Sequence, residues 1–134
     1  MRSVTRRGRR YVPIVGPPGS LAMVTAPGAL AGWNFTVPPD GRFDNRIAGA
    51  DAMAMATTSA LRHPRRLTAP LLVCVCDKEN LMNPRYAALV ARRAPNGMAR
   101  HYESDHFAIY HPPLVSRVLA DQTTFFKEHL DVRT

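Results

Sequence analysis

The residues best suited to proton-transfer chemistry in this sequence fall in two short stretches. His106 follows Asp105 within YESDHFAIY (residues 102 to 110), and Asp77 and Glu79 lie within CDKENLMNP (residues 76 to 84). An imidazole ring takes up and returns a proton near neutral pH. A carboxylate bonded to that ring fixes its tautomer and stabilises the imidazolium formed when it acts as a base. Either Asp77 or Glu79 can supply that carboxylate if the two stretches meet in space. Such a pair works on behalf of a nucleophile, and the sequence offers few. No G-x-S-x-G occurs in the 134 residues. Ser20, in GPPGS, has no buried strand before it and no glycine two residues after it, and Ser59 and Ser104 fare no better. Cys74 and Cys76 precede the acid stretch and read as small buried residues of a strand.

The two stretches are brought together only if the elements around them form a sheet. LLVCVC (residues 71 to 76) is a continuous apolar run, the pattern of a strand buried on both faces of a parallel sheet. A polar loop follows, and from Pro84 the residues Tyr86, Leu89, Val90 and Ala94 recur at helical spacing until APNG. MARHYE (residues 98 to 103) is a second, weaker strand. Strand, helix and strand make a βαβ unit with parallel strands, and both stretches then leave the carboxyl ends of neighbouring strands, where sites collect. A last helix starts near Pro113, with Leu114, Val118, Leu119, Gln122, Phe125, Phe126 and Leu130 on one face. Upstream, Asp44 to Leu61 is rich in alanine and methionine, with Asp44 placed to cap a helix and Met53 and Met55 as core filler. The first 40 residues show no period, and GPPG, APG and PPDG mark turns.

TAPLLVCVCDKENLMNP, ARHYESDHFAIY and the closing FFKEHL together resemble the carboxyl-terminal part of an α/β-hydrolase, over residues 65 to 132. The resemblance implies an α/β fold class: the last parallel strands of a hydrolase sheet with flanking helices. It also implies a Ser-acid-His triad for ester, thioester or amide hydrolysis, in the chain order nucleophile, acid, histidine. His106 matches the family's histidine. Glu79 matches its acid, which lies a few residues before a loop proline, here Pro84, and Asp77 is the fallback. Glutamate replaces the commoner aspartate, and its longer side chain approaches the ring differently. Asp105 is expected to support the turn before His106. His63, His101, His111 and His129 have no partner that singles them out.

Residues 11 to 64 resemble, more loosely, the lid or cap segment that these hydrolases place between the nucleophile half of the sheet and the acid strand. Within them, YVPIVGPPGSLAMVTAP resembles a region after a central strand in a bacterial branch related to dienelactone hydrolases and acyl peptidases. Met23, Trp33 and Phe35 are then candidates for the wall of a substrate pocket. The nucleophile half of such a hydrolase is expected to be missing from this sequence, which would leave the chain inactive alone and able to act on an acyl substrate only beside a nucleophile-bearing chain.

Composition narrows the remaining possibilities. The net charge is +8, much of it in RRGRR (residues 6 to 10) and RHPRR (residues 62 to 66). Residues 1 to 10 are expected to be a disordered basic leader. The charge keeps open a non-catalytic basic module that binds an acidic partner or nucleic acid, with nucleic acid the less favoured because no zinc pattern or RNP-like aromatic motif accompanies the charge. A C-x-C spacing suits neither a relaxed disulfide nor a zinc site, so no metal or other cofactor is expected. Pro13, Pro17, Pro18 and Pro27 interrupt the apolar stretch that a twin-arginine export signal would need, and no run approaches the ~18 apolar residues of a membrane span. The expectation is a cytoplasmic protein.

Overall fold

The computed structural model describes residues 10 to 130. The basic leader therefore lies, apart from Arg10, outside the described residues. The chain divides into two compact units, Met1–Thr58 and Ser59–Thr134.

The first unit is built from short elements. Strand β1 (Tyr11–Val12) pairs antiparallel with β2 (Ile47–Ala48), and Val15 bridges Val24. Asn45 ties this together: its side-chain oxygen accepts from the Ile14 and Val15 amides and its NH2 donates to the Val15 carbonyl, at 2.8–3.0 Å. A helix that no hydrophobic period marks in the sequence, α1 (Ala29–Thr36), starts after Gly28, whose φ of 81° is open to glycine at little cost. Its eight residues are too few to display a helical period.

The helix expected over Asp44 to Leu61 is shorter. Helix α2 spans Gly49–Thr57, and Asp44 does not cap it. The Asp44 carboxylate is held instead by the Arg46 guanidinium at 2.6–3.0 Å, and Ile47 and Ala48 are committed to the β1–β2 pair. The helix ends where Thr57 and Thr58 turn their hydroxyls back onto the Ala54 carbonyl, offering the backbone an alternative to continuing the helix. Met53 and Met55 are exposed rather than core filler.

The second unit contains the expected βαβ arrangement. Strand β3 (Leu71–Cys76) pairs parallel with β4 (Gly97–Tyr102), in the register Leu71 with Gly97 through Cys76 with Tyr102. Helix α3 (Pro84–Arg93) joins them. Asn83 caps it by accepting from the Arg85 amide at 3.0 Å, and Pro84 occupies the first turn, where a missing N–H costs nothing. Before β3, two 3-10 turns, Ala60–Arg62 and Pro64–Arg66, pack on α3. Helix α4 (Leu114–His129) closes the unit and lies against β3 and the 3-10 turn Ala108–Tyr110.

The core beneath the sheet gathers Tyr102, Ile109 and Val118, with Cys74, Cys76 and Leu114 packed against them. Burial of β3 on both faces is not reached. Val75 is its one fully buried residue, because β4 is the one strand that pairs with it among the described residues. On α4, Val118 and Phe125 are buried whereas Leu119 and Phe126 are exposed, as is Leu130 just past its end. Among the described residues no helix is long and apolar enough to cross a membrane.

Candidate functional site

The loops that leave β3 and β4 stay bonded beyond the strand ends. The Asp77 amide donates to the Tyr102 carbonyl at 2.8 Å, and the Lys78 amide donates to the Ser104 carbonyl at 3.0 Å. These bonds carry the parallel register into both loops, so the residues just beyond are held side by side. The Glu79 amide then folds back onto the Cys76 carbonyl at 3.2 Å, turning the acid toward the neighbouring loop. On that loop, Asp105 Oδ1 accepts from the Phe107 and Ala108 amides at 2.9 and 2.8 Å and forms the turn that presents His106.

His106 Nδ1 and Glu79 Oε2 lie 2.8 Å apart. Glu79 Oε1 accepts from the Leu81 amide at 2.8 Å, so both carboxylate oxygens are engaged. The Glu79 side chain is 8% exposed and that of His106 31%. An ionised carboxylate only accepts, so the proton of the neutral imidazole sits on Nδ1 and Nε2 keeps a lone pair. That is the tautomer a general base requires. The His106 and Phe107 rings also meet edge to face, with centroids 5.1 Å apart.

Beside this pair is a cavity of about 300 Å³, whose mainly apolar wall includes Cys76, Met82, Ile109, Val115 and Leu119 together with Glu79 and His106. Cys74 and Cys76 are free thiols that line it, so neither is sealed within the core. Burial, then the nearby Glu79 charge, pushes the Cys76 thiol up from 9.0 to about 11. A thiol so shifted stays protonated at neutral pH and is a poor nucleophile.

Asp77 contacts a different histidine. Its Oδ1 lies 2.7 Å from His101 Nδ1, with both side chains about half exposed. His101 therefore does have a partner, contrary to the expectation from sequence. The parallel register explains the pairing: Cys76 opposite Tyr102 puts Asp77 one step beyond the strand and His101 one step before its end, a register that the sequence alone does not fix.

The remaining candidates belong to the first unit. The Trp33 ring packs on Phe43 with centroids 4.9 Å apart, Phe35 is 68% exposed and Met23 is half-buried. The cavity beside His106 is lined by residues of the second unit. Among the described residues, no group of three or more His, Cys, Asp or Glu could hold a metal ion.

Over 122 residues, 91% of its length, the chain is 30% identical to the quorum-quenching protein AidA of Acinetobacter baumannii (strain MDR-ZJ06). It spans 40% of that relative's length. No family model matches the chain, and no solved structure matches it.

Proposed function

We propose that Glu79 and His106 are the acid and the base of a hydrolytic Ser-acid-His triad in an α/β-hydrolase fold, with the serine supplied from outside these 134 residues. The 2.8 Å bond between His106 Nδ1 and Glu79 Oε2, with the second Glu79 oxygen anchored on the Leu81 amide, carries this reading. Asp77 is the weaker candidate because its carboxylate engages His101. The order of acid before histidine and the resemblance of residues 65 to 132 to α/β-hydrolases support the same assignment.

In this mechanism His106 Nε2 takes the serine proton as the serine oxygen bonds to the acyl carbon, giving a tetrahedral oxyanion. Collapse breaks the bond to the leaving group, which receives that proton from Nε2. Water then attacks the acyl-serine with the same base, releasing the acid and restoring the serine. Glu79 stays ionised throughout and stabilises the imidazolium. The similarity to AidA makes the signal molecules of quorum sensing the first substrates to examine.

The test supplies the chain with a nucleophile-bearing hydrolase half and follows turnover of a simple acyl ester. Loss of the Glu79 charge is expected to lower kcat on the order of 10⁴-fold and loss of His106 on the order of 10⁶-fold, as removal of the acid and of the base do in other triads. Asp77→Asn should leave the rate within a few-fold. Turnover that survives His106→Ala would remove the assignment.

A further inference from the structure

At the opposite end of α3 from the His106 cavity, three arginines converge on a second, smaller cavity. It measures about 230 Å³ and is lined by Leu61, Arg62, Arg65 and Arg93. The local sequence explains the convergence. Ser59 caps the first 3-10 turn by accepting from the Leu61 amide, and buried Pro64 anchors the second. Both turns pack on α3, whose last turn carries Arg92 and Arg93. Arg93 Nη1 donates to the Leu61 carbonyl at 3.2 Å, which fixes the guanidinium and leaves its other N–H groups to serve a ligand.

No carboxylate lines this cavity, and none pairs with Arg62, Arg65 or Arg93 among the described residues. Holding like charges together costs free energy that a bound anion recovers. The carboxyl end of α3 opposes an anion with about half a negative charge, which three guanidinium groups outweigh. The volume lies below the ~300–1,000 Å³ of sites for drug-sized ligands, so a small, highly charged group suits it best. Guanidinium forks match the tetrahedral oxygens of phosphate and hold it through paired N–H donors.

We propose that Arg62, Arg65 and Arg93 form a binding site for a phosphate dianion, either free or as a phosphomonoester, separate from the Glu79–His106 pair. The site needs no turnover and does not depend on the hydrolase reading.

The experiment titrates the full chain with inorganic phosphate and with methyl phosphate by calorimetry, at constant ionic strength set with chloride. Saturable one-site binding is expected. Arg93→Met, and separately Arg62→Gln with Arg65→Gln, should each raise Kd about tenfold or more, since charge-assisted bonds are lost. The second variant leaves the Arg93–Leu61 bond untouched, so a folding defect in Arg93→Met would not obscure the result. Arg100→Gln, an exposed change on β4, should leave Kd unchanged. Tighter binding of methyl phosphate assigns the site to a phosphorylated ligand, and tighter binding of inorganic phosphate to the free anion. Absence of saturable heat with either would overturn the proposal, as would equal weakening by Arg100→Gln. An oligonucleotide that binds without being displaced by phosphate would also overturn it and point to a diffuse polyanion surface.

Discussion

Tyr102 is fully buried at the end of β4, and its hydroxyl donates to Asp121 Oδ2 on α4 at 2.7 Å. This bond ties the last helix to the strand that leads into the His106 loop. Tyr102→Phe keeps the ring and removes the donor, so little cavity opens and the loss is that of one hydrogen bond to a charged acceptor, ~1.5–3 kcal/mol. Asp121 is half-buried and water can reach it, which places the expected cost near the lower end, about 1.5 kcal/mol. For a unit of roughly 60–100 residues, 1 kcal/mol moves Tm by ~4–8 °C, so the variant should melt about 6–12 °C lower.

Urea and thermal unfolding followed by circular dichroism measure this, and a double-mutant cycle with Asp121→Ala isolates the pair. A coupling energy below about 0.5 kcal/mol would refute the reasoning, since that is the additivity expected of independent sites. The same bond has a pH signature. Burial first, and the Asp121 bond second, push the Tyr102 phenol above its ordinary value of 10.0. A group whose folded value is raised contributes stability that is fully present below the unfolded value and lost as pH rises toward the folded one. The wild type's advantage over Tyr102→Phe should therefore hold steady up to about pH 9 and shrink above about pH 10. A constant or growing advantage in that range would contradict it.

Two further outcomes follow from local geometry. A Cβ at Gly97 would run into the Ala91 carbonyl oxygen and crowd the Ala94 side chain, so Gly97→Ala should cost about 3 kcal/mol in urea unfolding; a cost under about 1 kcal/mol would show that α3 and β4 can separate freely. With its thiol raised from 9.0 to about 11, Cys76 has about a hundredfold less thiolate at pH 8, offset about tenfold by the greater nucleophilicity of that thiolate. Iodoacetamide labelling read by peptide mass spectrometry should thus be about tenfold slower than for an unstructured cysteine and still rising from about pH 9 to 11. A plateau at pH 9 would argue that the thiol is not desolvated.

The second unit is the more legible of the two in sequence. LLVCVC, the Asn83–Pro84 helix start and the apolar positions from Leu114 onward specify their elements through local pattern and chain stiffness, and each forms within a residue or two of where the pattern puts it. The first unit reads poorly because its elements are two to nine residues long. Asp44 illustrates the difficulty. It has the chemistry of a helix cap, but a guanidinium two residues away competes for the same oxygens and wins.

By itself, the sequence determined which residues could serve as acid and base and which strands carry them, because residue type and hydrophobic period are local properties. Tertiary structure decided how those residues pair. Asp77 and Glu79 are two residues apart and chemically alike, yet one faces His101 and the other His106. That division depends on the parallel register of β3 with β4 and on the two amide bonds that extend it into the loops. Both are contacts between segments more than twenty residues apart, and no local pattern records them. The cluster of Arg62, Arg65 and Arg93 has the same origin, since packing of the 3-10 turns on α3 brings distant charges to one cavity.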